Sequence, residues 1–202
     1  MAMPMDEKEI YSKPRLWGES GLTLVELVVA VAIIGVLAAV AVPSYMADLP
    51  RRRLAEAARN LYSDLQWTRL QAVSTNRSWQ VVFVDNAGTN NDLYQIWDSG
   101  DGSVATAADN VLIRTVTLAG YGSGVAYGFG SATQNWTGAA LNQQASVTYD
   151  SRGMTGAAET STFITNQDNS IAYAVTVSRP GGVRIRFYNG GLPFNINNWV
   201  EK

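Results

Sequence analysis

The chain has 202 residues, of which 47% are hydrophobic and 16% charged. That suffices for one domain beside a membrane segment and is too apolar for a disordered chain. A formal net charge of −2 gives no overall basic field for nucleic acid. Cysteine and histidine are both absent. This excludes disulfides, thiol catalysis, His-centred triads and metal sites built on either residue.

Residues 1–21 are polar and of mixed charge, with Asp6, Glu7, Lys8, Glu9, Lys13, Arg15 and Glu19, and Pro4 and Pro14 interrupt any helical period. They predict an unstructured cytoplasmic leader, with Lys13 and Arg15 favouring retention of that end inside. Residues 22–43 predict a membrane-spanning helix. From Leu22 to Val42 it rises roughly 31 Å at 1.5 Å per residue, close to a bilayer core of about 30 Å. The single carboxylate within it, Glu26, costs about 2.5–3.5 kcal/mol at the membrane centre and less near the end, so it calls for a partner. Ala30, Ala32, Gly35, Ala38, Ala39 and Ala41 permit close helix approach or act as apolar filler. Two processing schemes compete. A signal peptidase cutting after Ala39-Val40-Ala41 leaves a soluble chain from Val42. Cleavage after Gly21 instead keeps the helix. The length of the apolar run and the acid inside it favour the second.

Pro43 ends the apolar run and, with Pro50, predicts a break or hinge across 43–50. Arg51-Arg52-Arg53 follows, suited to lipid headgroups, to acidic patches on a neighbour, or simply to a solvated helix start. Residues 44–77 predict an amphipathic helical half. Leu54, Ala58, Leu61, Leu65, Thr68 and Ala72 recur at spacings of three and four, with Arg52, Arg59, Asp64 and Arg69 largely on other faces. Residues 78–202 predict a β-rich globular domain. Its strands are expected at Ser78–Val84, Leu93–Trp97, Val111–Leu118, Val125–Phe129, Val147–Tyr149, Ile171–Val177 and Val183–Tyr188, separated by Asn, Gly, Asp and Ser clusters. Trp67 and Trp79 are expected to anchor packing.

Gly21-Leu22-Thr23-Leu24-Val25-Glu26 resembles the processing site of type IV prepilins and type II secretion pseudopilins. The resemblance implies that a prepilin peptidase cuts between Gly21 and Leu22 and methylates the new amine of Leu22, where the family usually carries Phe. It implies that Glu26 is an assembly residue, with Thr23 and Pro43 at matching positions of the motif. The carboxylate pairs with the N-terminal amine of a neighbouring subunit. Each charge is costly alone in the membrane, and pairing offsets the cost.

The later landmarks are Leu61–Val73, Ser78–Phe83, Val147-Thr148-Tyr149-Asp150-Ser151-Arg152-Gly153 and Val175–Arg184. Their order resembles the GspH/FimT group of minor pseudopilins and minor pilins. That implies an α+β, type IV pilin-like fold: one long N-terminal helix, part transmembrane and part amphipathic, on a small antiparallel β-sheet domain. It implies a structural subunit that primes or enters a type IV pilus or type II secretion pseudopilus, not an enzyme, with no cofactor. Its partners are other pilins, the prepilin peptidase and the inner membrane, with the globular domain in the periplasm.

Other features invite binding roles. Asp98, Asp101 and Asp109 could offer oxygen to calcium, or form a polar hairpin turn. Gly182-Val183-Arg184-Ile185-Arg186 resembles the Gly-Arg-x-Arg element with which some FimT-type pilins hold DNA, though only Arg184 matches in register. Strand alternation places Arg184 and Arg186 on one face, with Arg179 nearby, either for phosphates or as plain solvent-facing charge. This makes DNA uptake the alternative function. Asn135-Trp136-Thr137 fits a glycosylation acceptor, and Trp136 and Trp199, if exposed, suit an adhesin.

Overall fold

A computed structural model describes residues 21–86, 91–100, 110–122, 124–166, 168–191 and 193–202. Two compact units emerge, Met1–Pro43 and Ser44–Lys202. A helix, α1 (Leu24–Thr75), begins in the first and ends in the second.

In the first unit, α1 exposes every large apolar side chain from Leu24 to Val42. It is the one helix among the described residues long and apolar enough to cross a membrane. Pro43 and Pro50 lie inside the helical span. The expected break across 43–50 is therefore corrected to helix. A proline removes only its own N–H from the ladder, and the neighbouring hydrogen bonds can hold the turn.

In the second unit, Leu54, Ala57, Ala58, Leu61, Leu65, Thr68 and Ala72 of α1 are buried, which is the predicted apolar stripe with Ala57 added. The helix stops in a hydrogen-bonded cap. Asn76 takes a positive φ of 53°. Its N–H donates to the Val73 carbonyl, and that of Arg77 to Ala72. The paired bonds satisfy carbonyls left orphaned by the last turn.

Two antiparallel sheets follow. The first, in the order β3-β2-β1-β5, contains β1 (Ser78–Val84), β2 (Leu93–Gly100), β3 (Val111–Thr117) and β5 (Ser146–Tyr149). The second, in the order β4-β6-β7-β8-β9, contains β4 (Ala126–Tyr127), β6 (Glu159–Thr165), β7 (Ala172–Ser178), β8 (Val183–Tyr188) and β9 (Trp199–Glu201). Strand β1 alternates strictly, burying Trp79, Val81 and Phe83. These pack with the helix stripe, with Tyr94 and Ile96 of the first sheet, and with Val175, Val177 and Phe187 of the second, so one core joins helix and both sheets.

A second core covers the other face of the larger sheet. It gathers Phe163, Ala174, Tyr188 and Trp199 under Phe129 and Trp136. Strand β7 is accordingly buried along almost its whole length. Strands β6 and β9 were not anticipated. The segment Glu-Thr-Ser-Thr-Phe-Ile-Thr at 159–165 has little hydrophobic contrast, yet Thr160, Thr162 and Thr165 are buried. Their methyls fit a pleated core, and Thr165 Oγ1 donates to the Ile171 carbonyl at 2.8 Å.

Candidate functional site

The N-terminal motif sits at the very start of α1. Gly21, Leu22 and Thr23 are non-helical and exposed, so the Gly21–Leu22 peptide bond is sterically open. Thr23 caps the helix: its Oγ1 accepts the Glu26 N–H at 3.2 Å, and its carbonyl accepts from the Leu27 N–H. The spacing Thr23-x-x-Glu26 is that of a capping box, a signal that the prediction passed over. Glu26 also places a negative charge in the first turn, where the helix dipole favours it. Its carboxylate is exposed, and no described residue bonds to it. The acid thus stands on an uncovered apolar surface that runs from Leu22, 74% exposed, to Val42, 53% exposed.

The charges of the β-domain are used differently. Asp64 of α1 accepts the Tyr94 hydroxyl at 2.7 Å and pairs with Arg114 of β3. It lies off the apolar stripe, as expected, yet is mostly covered. Burial, then the Asp64 hydrogen bond, push the Tyr94 phenol far above its usual pKa. Asp92, just 5% exposed, accepts the N–H groups of Asn86 and Tyr127 at 2.9 and 2.7 Å. It ties the segment after β1 to β4. Nothing in its sequence context marks it, because both donors are backbone groups.

Arg69 joins two of the family landmarks. Its Nε donates to the Gly153 carbonyl at 3.0 Å and its Nη2 to the Pro180 carbonyl at 2.9 Å. The turns at 150–154 and 178–182 meet beneath it. Gly181 has a φ of +82°, and a Cβ there would fall 2.0 Å from the Gly153 oxygen.

The arginine pair of β8 is divided. Arg184 is exposed and 3.8 Å from Glu201. Arg186 has a side chain only 11% exposed, set between Glu159 at 3.6 Å and Glu201 at 3.5 Å. Its guanidinium lies 4.0 Å from the Trp136 ring centroid, and Nη1 donates to Thr176 Oγ1 at 3.0 Å. The expectation that both arginines are free to meet phosphates is corrected for Arg186, whose donors are engaged inside the domain. Arg179 is exposed in the β7–β8 turn.

The adhesin reading is corrected too. Trp199 is 7% exposed and donates to the Gln134 carbonyl. Trp136 packs edge-on to it, 5.7 Å between centroids. Asn135 Oδ1 is occupied by Thr137 and the Ala139 N–H. Trp67 and Trp79 meet edge to face at 5.5 Å, with Trp79 buried and Trp67 partly exposed. Asp98 pairs with Arg77 at 3.0 Å, at the far end of β2 rather than in a turn. Asp101 and Asp109 lie outside the described residues.

A family model described as "Type II transport protein GspH" matches residues 57–181, more than half of the chain. A second, "Prokaryotic N-terminal methylation motif", matches residues 18–42. A fimbrial protein of Moraxella nonliquefaciens is 34% identical over 92 residues, covering 46% of this chain and 56% of the relative. The chain therefore matches little more than half the length of that relative. Among solved structures, the type IV minor pilin FimU of Pseudomonas aeruginosa superposes with a TM-score of 0.41 at 19% identity, over 66% of this chain and 87% of that one.

Proposed function

We propose that this chain, which belongs to the GspH family of type II transport proteins, is a minor pilin or pseudopilin. It is a structural subunit that is anchored by its N-terminal helix and built into a type IV pilus or type II secretion pseudopilus. The observation that carries the reading is Glu26. An unpartnered carboxylate stands in the first turn of an uncovered apolar helix, three residues after an exposed Leu22–Thr23 pair. Cleavage between Gly21 and Leu22 puts a new cation at the same end of the same helix. That amine on one subunit and Glu26 on the next neutralise each other in the membrane, which converts a costly charge into a register mark.

In this scheme the prepilin peptidase removes residues 1–21 and methylates Leu22. The inner membrane holds residues 22–43 until assembly, and the β-domain lies in the periplasm. The chain has no catalytic role. Exposed Arg184 and Arg179 are solvated surface charges in this reading, not a DNA clamp.

Mass spectrometry of the mature N-terminus, with Glu26→Gln and Glu26→Val variants, tests it. The chain is expected to begin at methylated Leu22, and both variants are expected to be processed normally. The Thr23 cap bonds the backbone of residue 26, not its carboxylate, so the helix start survives. Incorporation into filaments should fall by on the order of a hundredfold or more, since leaving a buried ion unpaired costs about 3–5 kcal/mol. A mature chain starting at Val42, or normal incorporation of Glu26→Val, would sink the proposal.

A further inference from the structure

The run Arg51-Arg52-Arg53 does not act as a unit. Arg52 pairs with Asp48 at 2.7 Å. Arg53 packs over Gly122, where a Cβ would come within 2.7 Å of its side chain. Arg51 instead reaches across to the second sheet, its guanidinium 5.0 Å from the ring centroid of Phe187 on β8. The same ring has Lys202 Nζ at 5.8 Å. Lys202 is brought there from the far end of the sequence, its backbone N–H donating to the Ile185 carbonyl at 3.0 Å. Phe187 stacks on Tyr173 of β7 with centroids 4.8 Å apart. A third cation, Arg59, lies two helical turns beyond Arg51. Burial raises the Tyr173 phenol pKa, and the charges of Arg51 and Arg59 oppose the rise, so both stand near that hydroxyl.

Arg51 and Lys202 thus flank the Phe187 ring, and Arg59 stands further along the same helix. All three are exposed. Among the described residues none of them makes a salt bridge. The chain carries more acids than bases, 17 against 15, yet no described acid, Glu56 one helical turn before Arg59 included, comes within salt-bridge distance of the three. Like charges gathered without a counter-ion repel one another, and an external anion would remove that cost.

We propose that Arg51 and Lys202 beside the Phe187 ring, with Arg59 two turns further along α1, seat the phosphate headgroups of an anionic membrane surface. Charge complementarity gives the sign of the partner, and chain connectivity gives its kind. Arg51 follows Val42, the last residue of the apolar run, by nine residues. Even fully extended these span no more than about 32 Å. A membrane holding the apolar helix therefore always lies within reach of the patch. Phe187 and Tyr173 are core side chains, 3% and 9% exposed, so the rings brace the cations from beneath and the exposed cations alone meet the phosphates. The seat holds the β-domain against the bilayer before the helix enters a filament. It rests on the membrane anchor of the proposed function but not on processing or on Glu26.

The absence of native cysteine makes the test direct. Val200 on β9 is exposed and pairs with Phe187, so Val200→Cys carries a fluorescent donor beside the patch without removing a cation. The full chain is reconstituted in vesicles of phosphatidylcholine, with or without phosphatidylglycerol, containing a trace of headgroup-labelled acceptor lipid. Energy transfer is expected to rise with phosphatidylglycerol and to fall as salt is added. Each of Arg51→Gln, Arg59→Gln and Lys202→Gln should shift the apposition equilibrium about fivefold. Arg152→Gln, at an exposed arginine in a turn elsewhere, should leave it unchanged.

Transfer that is the same in both lipids, or the same in the triple variant, overturns the inference. So does a signal that depends on protein density in the membrane and not on lipid charge, since the partner is then another protein. Flotation with neutral vesicles tests the anchor alone. A chain that does not float removes the membrane reading and this inference together, whereas a floating chain with lipid-independent transfer removes only the inference.

Discussion

Arg69 offers a sharp test of how the β-domain is held together. Its guanidinium donates to two carbonyls, Gly153 and Pro180, from turns separated by more than twenty residues in sequence. A hydrogen bond from a charged donor contributes about 1.5–3 kcal/mol. Arg69 is only half-buried, so water replaces part of each bond and the low end applies. Arg69→Met should then destabilise the domain by about 3 kcal/mol, which for a domain of this size lowers Tm by roughly 6–12 °C. Arg69→Lys should recover no more than half, because one ammonium cannot reproduce the planar fork that bridges both turns. Gly181→Ala attacks the same junction from the opposite side. Its Cβ would sit 2.0 Å from the Gly153 oxygen at a φ of +82°, so a loss at least as large is expected. Thermal unfolding of the full chain in detergent, followed by tryptophan fluorescence, measures all three. The reasoning fails if Arg69→Met stays within about 2 °C of the parent.

Three further predictions concern other charges and the buried phenols. Asp92→Ala leaves two backbone N–H groups without their acceptor and should cost about 2–4 kcal/mol in urea unfolding, whereas an exposed acid such as Glu56 should tolerate alanine within about 0.5 kcal/mol. Arg186→Ala should cost about 2–3 kcal/mol through loss of its Trp136 and Thr176 contacts, while Arg184→Ala changes stability by less than about 0.5 kcal/mol. A chain equally sensitive at both arginines would contradict the division drawn between them. Tyr94, Tyr127 and Tyr149 all have phenol pKa values raised first by burial. A pKa raised on folding gives stability that is full below the unfolded value near 10 and is lost as pH rises above it. Three such groups should make unfolding free energy fall by up to about 4 kcal/mol per pH unit above pH 10. A flat alkaline profile would show that these phenols ionise freely in the folded chain.

The helix, its apolar stripe and most strands were readable because each rests on local periodicity. Leu54, Leu61 and Leu65 recur at helical spacing, and Trp79, Val81 and Phe83 alternate, and all six are buried. What escaped is non-local. Strand β6 reads as a polar threonine run until β7 lies beside it and Val177 accepts the Thr160 hydroxyl. Strand β9 has only three residues, and its pairing with β8 decides its state. Alternation placed Arg184 and Arg186 on one face, since both approach Glu201. It could not show that Trp136, fifty positions earlier, closes over one of them. At the N-terminus the reverse holds. Thr23, Glu26 and the apolar run act through neighbours in sequence, so the motif was legible residue by residue, and even the overlooked cap was written in its Thr-x-x-Glu spacing.

The distribution of satisfied charge separates what the domain uses internally from what it offers to others. Asp64, Asp92, Asp98, Arg69 and Arg186 each meet a partner inside the β-domain. Folding consumes them, and changing any one acts first on stability. Glu26 has no such partner among the described residues, nor do Arg51, Arg59 and Lys202 make a salt bridge there. The first carries the sign of a carboxylate awaiting an amine, and the others the sign of cations awaiting phosphate. Both groups should therefore respond to substitution in assembly or membrane apposition while the unfolding curve stays in place. That split is measurable on one set of variants. It is also what distinguishes a subunit whose function lies in its contacts from a domain whose conspicuous residues merely hold it together.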